Sequence, residues 1–168
     1  MTTQGAVVIL SGLPGAGKTH FARALAALTP IRHIESDAVR RSLFVSPRYS
    51  RWESSFVFRE VERLTREALA DGAVAVIDAT NLTRHDRRRF FTLATRMDAR
   101  VLSVRLVAPD VVIRGRLASP RDGHSQADVH VYESFRDNAQ PFTTPLVVVD
   151  TRFPLAPSLR LVTRLLRD

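Results

Sequence analysis

Residues 12–19 decide the fold, and they read Gly12-Leu13-Pro14-Gly15-Ala16-Gly17-Lys18-Thr19. The continuous apolar run Ala6–Leu10 precedes this stretch, and the alanine- and leucine-rich segment His20–Leu28 follows it. A run that is apolar on both faces is typical of a buried parallel strand. The following segment predicts a helix that stops near Pro30. Glycines between a strand and a helix let backbone N–H groups turn inward around an anion.

The spacing of residues 12–19 matches the pattern G-x-x-x-x-G-K-[ST], in which the backbone cradles phosphates at a helix N-terminus. Of 25 lysines and arginines, Lys18 alone is lysine. A slim ammonium fits such a cradle, whereas a guanidinium fork would overfill it. Lys18 can reach the β- and γ-phosphates of a nucleoside triphosphate, and the Thr19 hydroxyl can ligate Mg²⁺. We therefore predict an ATP site at residues 12–19 and at the adjoining His20.

Composition sets limits on the class of protein. The chain has 168 residues, 45% of them hydrophobic, which suits one domain with a sizeable core. It contains no cysteine, so disulfides and thiolate metal sites are excluded. No apolar run approaches the length of a membrane span, and we expect a cytoplasmic protein that contacts no membrane. The net charge of +8 suits an anionic ligand, either a nucleotide or a nucleic acid.

Strands and helices alternate along the whole chain. Further strands are predicted at Ile31–Ile34, Ala73–Ile77, Val101–Val107 and Leu146–Val149, with helical patterns between them. This alternation indicates an α/β fold with a parallel sheet and helices on both faces. We predict a single domain over residues 1–168.

A carboxylate and an arginine follow the second predicted strand. Ligands of open parallel sheets bind outside the carboxyl ends of the strands, which is where Asp37 would lie. Asp37 can accept a proton from an acceptor hydroxyl, and Arg40, on the same helix face, can hold an anionic part of the acceptor. The alternative is that Ser36 or Asp37 only caps the helix and that Arg40 is a solvated charge.

The third predicted strand also ends in a carboxylate, Asp78. An apolar strand ending in Asp near a phosphate loop favours Mg²⁺ binding, directly or through water, by Thr19 and Asp78. Thr80 and Asn81 follow in the turn and are predicted to touch the acceptor. The histidines lack paired ligand spacing, and we interpret them as structural or surface residues; they are His20, His33, His85, His124 and His130.

Two groups of arginines complete the sequence picture. Arg114 and Arg116 precede a polar segment at residues 119–125, which itself contains Arg121, and a lid over about residues 114–127 can deliver these arginines to a transferring phosphoryl group. A second basic run lies within residues 84–89, and it is either an oligonucleotide path or a solvated helix face.

Three motifs occur in order: residues 12–19, Glu35-Ser36-Asp37-Ala38-Val39-Arg40 and Val76-Ile77-Asp78-Ala79-Thr80-Asn81-Leu82. With them the chain resembles the AAA_33 P-loop kinases, which group with polynucleotide 5′-kinase domains and zeta-toxin-like kinases. The resemblance implies a kinase fold with strand order 2-3-1-4-5. It implies that Asp37 is the acceptor base, that Arg40 contacts an acceptor phosphate, and that Arg121 and Arg116 are lid arginines. One departure is Ala79, where polynucleotide kinases often carry a carboxylate.

From these observations we expect an ATP-dependent phosphotransferase that uses Mg²⁺, with Lys18, Asp37, Arg116 and Arg121 as its catalytic residues. The expected acceptor is a hydroxyl, first of all the 5′-hydroxyl of a polynucleotide. A small-molecule acceptor such as a nucleoside, sugar or antibiotic is the alternative. An ATP-binding switch with no acceptor of its own is the competing class.

Overall fold

The computed structural model describes residues 5–119 and 129–167. Five strands are present in this part of the chain: β1 (Ala6–Ser11), β2 (Arg32–Glu35), β3 (Val74–Asp78), β4 (Arg100–Val107) and β5 (Val147–Asp150). The described helices are α1 (Lys18–Ala26), α2 (Ser36–Leu43), α3 (Arg51–Ala70), α4 (Arg84–Arg96), α5 (Asp110–Ala118), α6 (Val129–Asp137) and α7 (Ala156–Arg167).

The strands form one parallel sheet of order β2-β3-β1-β4-β5, so the α/β fold class and the strand order expected above are confirmed. The register pairs Leu10 with Asp78 and Glu35 with Asp78. The carboxyl ends of β1, β2 and β3 therefore meet at one edge of the sheet, and the loops that follow them share that edge.

The central strand β1 is buried on both faces. Ala6, Val8 and Leu10 belong to a core shared with α1 and α7, whereas Val7 and Ile9 belong to a core shared with α3 and α4. Alternate residues of a strand point to opposite faces of the sheet, so each face of β1 has its own helices. Each fully buried aliphatic side chain contributes about 1.5–3 kcal/mol, which anchors the strand that leads into residues 12–19.

Local sequence explains where the helices begin. Thr83 and Asp86 form a capping box at the start of α4, and the Ser50 hydroxyl accepts a hydrogen bond from the Glu53 N–H at the start of α3. For α2 the predicted cap is wrong. Glu35 holds the N-cap position, which puts Ser36 and Asp37 inside the first turn. The Asp37 carboxylate thus lies in the first turn, where the helix dipole favours a negative charge.

Across residues 5–119 and 129–167, no helix combines the length and the apolar composition that crossing a lipid bilayer requires.

Candidate functional site: a cleft at the carboxyl edge of the sheet

Residues 12–17 form a tight loop between β1 and α1. A Cβ at Gly12 would lie 2.6 Å from the carbonyl oxygen of Leu106, and Gly17 has φ 95° at the N-cap of α1. Only glycine fits the first position without a clash, and it is strongly favoured at the second. Ala16 and Leu13 pack behind the loop against the core. The loop therefore keeps a fixed shape and places the N-terminus of α1 at the sheet edge.

Lys18 lies in the first turn of α1, with its ammonium folded back over the loop. Its Nζ donates hydrogen bonds to the carbonyl oxygens of Gly12, at 2.9 Å, and Leu13, at 3.1 Å. Burial lowers the pKa of Lys18, while the negative charges of Asp78 and Asp37 act in the opposite direction. The ammonium is thus held at the loop within the field of both carboxylates.

Thr19 and Asp78 face each other across the cleft floor. The Thr19 hydroxyl donates to Asp78 Oδ2 at 2.7 Å, and Asp78 is only 3% exposed. Mg²⁺ prefers oxygen ligands such as hydroxyl and carboxylate groups. The Thr19 hydroxyl and the Asp78 carboxylate are therefore suitable ligands for the Mg²⁺ that the sequence predicts.

Sequence reasoning missed His33 as a member of this cluster. Its Nε2 lies 2.9 Å from Asp78 Oδ2, and one ligand atom from each of His33, Glu35 and Asp78 lies within 4.8 Å of the others. His33 and Glu35 are two residues apart on β2, and Glu35 pairs with Asp78 across the sheet. Alternation along the strand, combined with the register, would have predicted this grouping, whereas spacing within the sequence alone did not.

A cleft of about 1400 Å³ opens above this edge of the sheet. We call one side the phosphate wall; it consists of Pro14, Gly15, Gly17, Lys18, Thr19 and His20. We call the opposite side the acceptor wall; it consists of Glu35, Ser36, Asp37, Arg40, Pro47, Tyr49, Ser54, Phe58, Thr80 and Asp86. The structure thus brings Asp37, Arg40 and Thr80 into one space with Lys18 and Thr19, as the sequence predicted.

Arg40 is enclosed in the acceptor wall rather than extended into the cleft. It is 6% exposed; its guanidinium reaches Glu53 Oε2 at 3.5 Å and donates to the Ser54 hydroxyl at 3.1 Å. Its Cζ lies 4.6 Å from the centroid of the Tyr49 ring. The alternative that Arg40 is a solvated charge is therefore wrong. The sequence also predicted that Arg40 contacts an acceptor phosphate, but its guanidinium is already paired with the Glu53 carboxylate.

Tyr49 lies on the loop between α2 and α3, with φ 55°. Burial, followed by the nearby Asp37 carboxylate, raises the pKa of the Tyr49 hydroxyl. Beside this loop, Trp52 packs between Phe44 and Phe56, with ring centroids 5.9 and 4.5 Å away, and remains 63% exposed. The loop that carries Tyr49 is therefore bordered by aromatic rings at the corner of α2 and α3.

Asn81 does not have the role that the sequence predicted. It is 1% exposed, and its side-chain amide donates to the Leu10 carbonyl at 2.7 Å, while the Ser11 hydroxyl donates to the Asn81 carbonyl at 3.0 Å. With φ 45°, it holds the turn after β3 against the end of β1. Asn81 is therefore a structural residue behind the cleft, and Thr80 is the residue of the pair that lines it.

The predicted lid arginines fall in different places. Arg116 lines the cleft, but its guanidinium donates to the Gly15 carbonyl at 3.2 Å and to the Thr151 hydroxyl and carbonyl at 2.8 and 2.9 Å. Arg114 binds Asp110 and Glu133 and so links α5 to α6. Arg121 and most of the predicted lid lie outside the described residues. In this structure Arg116 therefore fastens α5 to the phosphate loop and to the end of β5.

The basic run at the start of α4 divides into buried and exposed positions. Arg87 is 4% exposed and donates to the carbonyls of Asn81, Leu82, Gln140 and Pro141 at 2.8–3.3 Å. Burial lowers its pKa. Arg89 pairs with Glu62. Arg87 thus links the turn at residues 81–82 to the segment at residues 140–141 through hydrogen bonds. The basic run does not present a continuous basic surface.

A parallel sheet of this strand order, with a glycine-rich loop between β1 and α1, defines the P-loop kinase fold. AAA_33, a family described as an AAA domain, matches residues 7–142. The chain therefore belongs to the AAA_33 family.

Two curated relatives are similar over part of their length. The adenylyl-sulfate kinase of Chloroflexus aurantiacus is 32% identical over 119 residues, which cover 67% of this chain and 62% of the relative. The L-seryl-tRNA(Sec) kinase of Methanococcus maripaludis is 24% identical over 156 residues, covering 86% and 59%. The chain thus spans about three fifths of the length of each relative.

A solved structure agrees over nearly the whole chain. The APS kinase CysC of Mycobacterium tuberculosis, in complex with AMPPNP and APS, superposes with a TM-score of 0.76. The match covers 98% of this chain and 99% of that one, at 14% identity. An identity this low supports the fold alone.

Proposed function

We propose that this chain transfers the γ-phosphoryl group of ATP to a hydroxyl group of a small-molecule acceptor. The observation that carries the proposal is that Asp37 and the phosphate loop line one cleft, so close that the Asp37 carboxylate acts on the Lys18 ammonium. A phosphate cradle on one side and a carboxylate base on the other are the two halves that phosphoryl transfer to an alcohol requires.

Each residue has one task in this reaction. Lys18 exchanges its bonds to the loop carbonyls for oxygens of the β- and γ-phosphates. Asp37 accepts the acceptor's proton while the new bond forms between the acceptor oxygen and the γ-phosphorus. The bond between that phosphorus and the leaving oxygen breaks, and ADP departs. Thr19 and Asp78 would hold Mg²⁺, which neutralises phosphate charge when it is bound.

The acceptor in this proposal is a small molecule rather than the polynucleotide 5′ end first expected from the sequence. A polynucleotide needs a basic track for its phosphates. Arg87 and Arg89 of the basic run are engaged with carbonyls and with Glu62, which leaves Arg84 and Arg88 as its exposed arginines. Neither curated relative is named a polynucleotide kinase, and one is named for adenylyl sulfate.

Replacement of the base tests the proposal. Asp37→Asn should reduce transfer from labelled ATP to an acceptor roughly 10²–10⁴-fold, because an amide cannot take the proton. ATP affinity should stay within a few-fold, since the phosphate wall is intact. The control is Asp71→Asn, which alters an exposed carboxylate at the far end of α3. If Asp37→Asn transfers at the wild-type rate, Asp37 is not the base. If the wild type only hydrolyses ATP with every alcohol offered, the chain is not a kinase.

A further inference from the structure

Three side chains that can ligate a metal ion meet on the face of the sheet that α1 covers. His33 and Glu35 are two residues apart on β2, and Ile34 between them packs into the core shared with α3 and α4. Because alternate residues of a strand point to opposite faces, His33 and Glu35 point to the other face, where Leu10 packs with α1. Asp78 pairs with both Glu35 and Leu10 in the register of the sheet, so its carboxylate reaches that same face.

The distances between these groups suit coordination of one ion. His33 Nε2 lies 2.9 Å from Asp78 Oδ2, and one ligand atom from each of the three residues lies within 4.8 Å of the other two. Nitrogen and oxygen ligands bind Zn²⁺ at about 2.0–2.2 Å, so neighbouring ligands of one ion lie about 3.0–3.4 Å apart. The pair of His33 and Asp78 is already close to that spacing, and a shift of the Glu35 carboxylate toward the pair completes a site of three ligands.

The three groups have other contacts that an incoming ion has to replace or tolerate. Asp78 Oδ2 also accepts from the Thr19 hydroxyl at 2.7 Å, and Glu35 makes contacts of its own. The Lys18 ammonium lies in the field of Asp78 and opposes any cation at this point. These costs apply to every divalent ion alike, so they lower the affinity of the site without deciding which ion it prefers.

The imidazole decides which class of ion the site prefers. Mg²⁺ binds oxygen ligands and keeps several of its waters, whereas imidazole nitrogen suits Zn²⁺ and Ni²⁺. The His33 side chain is 21% exposed and that of Asp78 is 3% exposed, so the imidazole is partly open to solvent while the carboxylate is enclosed. Among the described residues, this is the one group of three histidine, aspartate or glutamate side chains with such spacing.

We propose that His33, Glu35 and Asp78 form a binding site for a divalent transition-metal ion such as Zn²⁺, separate from the position at Thr19 where Mg²⁺ would bind. The His33 imidazole and the Thr19 hydroxyl contact the same oxygen, Asp78 Oδ2, from β2 and from α1 respectively. An ion held by His33 therefore withdraws that oxygen from Thr19 and competes with Mg²⁺ for it. The competition rests on the kinase function proposed above, whereas the binding of the transition metal does not.

Metal titration of the nucleotide-free chain, without an affinity tag, tests the site. Calorimetry should show one Zn²⁺ bound with a dissociation constant in the micromolar range, and a much lower affinity for Mg²⁺. His33→Gln keeps a side chain that can donate to Asp78 but removes the imidazole nitrogen. It should weaken Zn²⁺ binding more than about tenfold, since loss of a group that only orients a metal ligand already costs about 10–100-fold.

The matched control is His85→Gln, which removes an exposed imidazole from α4. It should bind Zn²⁺ as the wild type does. Three results would overturn the proposal: no binding of Zn²⁺ to the wild type, an equal affinity of the wild type for Mg²⁺ and Zn²⁺, or equal binding of Zn²⁺ by all three proteins. The last result would mean that Zn²⁺ binds only at other histidines of the surface.

A cobalt spectrum tests residue 33 as a ligand by a gain of signal. Because the chain has no cysteine, Co²⁺ bound to the wild type can give visible d–d bands but no thiolate charge-transfer band. His33→Cys places a thiolate at the site and should add an intense charge-transfer band in the near ultraviolet, which Zn²⁺ abolishes by displacing Co²⁺. His85→Cys, at one equivalent of Co²⁺, should not show this band. A folded His33→Cys protein without the band would overturn the assignment of residue 33 as a ligand.

The competition with Mg²⁺ is measured through nucleotide binding. With Mg²⁺ in excess and free Zn²⁺ held at buffered concentrations, the affinity for AMPPNP should fall as Zn²⁺ fills the site in the wild type and in His85→Gln. Over the same range of Zn²⁺ it should stay constant in His33→Gln. An affinity of the wild type that stays constant or rises would overturn the competition. Zinc binding as expected, together with no phosphoryl transfer to any alcohol, would count against the kinase function alone.

Discussion

The two walls of the cleft hold their functional groups by different means. The phosphate wall comes from one continuous stretch, residues 14–20, in which we propose that glycine backbone and one lysine bind the phosphates. The acceptor wall is assembled from β2, α2, the loop between α2 and α3, α3, the turn after β3 and the start of α4. Its groups are set by side-chain contacts such as that of Arg40 with Glu53. A wall made of backbone suits a ligand shared by a whole superfamily, whereas a wall made of side chains can change its ligand by single substitutions.

Among substitutions that distinguish the two walls, the largest loss of activity is expected at Lys18, in the phosphate wall. Lys18→Met should lower phosphoryl transfer roughly 10²–10³-fold, because a charge that contacts the phosphates is lost. The free energy of unfolding should change by less than about 1 kcal/mol, because relief of the desolvation cost of a buried ammonium offsets its lost hydrogen bonds to the Gly12 and Leu13 carbonyls. Steady-state kinetics and urea unfolding measure the two quantities. Lys18→Arg is the charge-preserving control and should also be poorly active, because the fork does not fit the loop. An active Lys18→Arg would show that charge alone suffices at this wall.

The next largest effect concerns the support of the acceptor wall. Arg87→Met should lower the free energy of unfolding by about 3 kcal/mol, because it removes the buried guanidinium that donates hydrogen bonds to four main-chain carbonyls. Arg88→Met, on the exposed face of the same helix, should change it by less than about 0.5 kcal/mol. Denaturant unfolding of both variants measures the difference. Equal changes in the two variants would mean that the arginines of residues 84–89 form a solvated helix face.

A smaller effect should distinguish the adjacent residues Thr80 and Asn81. Asn81→Ala should cost about 1–2 kcal/mol of stability through the lost bond to Leu10, with little change in the acceptor KM. Thr80→Ala should show the converse, a higher acceptor KM at unchanged stability, since Thr80 lines the cleft. A raised acceptor KM in a folded Asn81→Ala protein would restore the direct role that the sequence predicted.

The smallest effect is a pH dependence at Asp110, where α5 meets α6. Hydrogen bonds from the Tyr132 hydroxyl and then from Arg114 lower the pKa of Asp110. Its stabilising contribution is therefore complete above the unfolded pKa of about 3.9 and is lost as the pH falls through the lower folded value. The difference in thermal midpoint between wild type and Asp110→Asn should be present at neutral pH and shrink in acid. A difference that does not change with pH would rule out the carboxylate charge as its source.

The parts of the molecule that the sequence predicted are the parts determined locally. The apolar run of β1, the glycines after it and the helix beyond are neighbours along the chain, so periodicity and spacing were enough to predict them. The N-cap of α2 was misplaced by one or two residues, because Glu35, Ser36 and Asp37 are all polar and their order does not reveal which one leaves the helical conformation.

The acceptor wall was harder to predict because its contacts join distant residues. Arg40 and Glu53 are separated by a loop whose course the sequence does not specify, so the pairing that neutralises Arg40 was invisible. His33 joins Asp78 only through the register of two strands. Asn81 looked like an acceptor contact because it follows Thr80, and only the turn with φ 45° directs its amide back to Leu10.

The aromatic corner at the start of α3 supplies an optical signal. Trp52 is the single tryptophan of the chain, it is largely exposed, and it packs at an angle between Phe44 and Phe56 beside the loop that carries Tyr49. Its fluorescence therefore reports on the α2–α3 corner with no introduced label. Acceptor binding against Tyr49 should change that emission, whereas ATP binding at the phosphate wall should leave it nearly constant, so that the emission follows the filling of the acceptor wall alone.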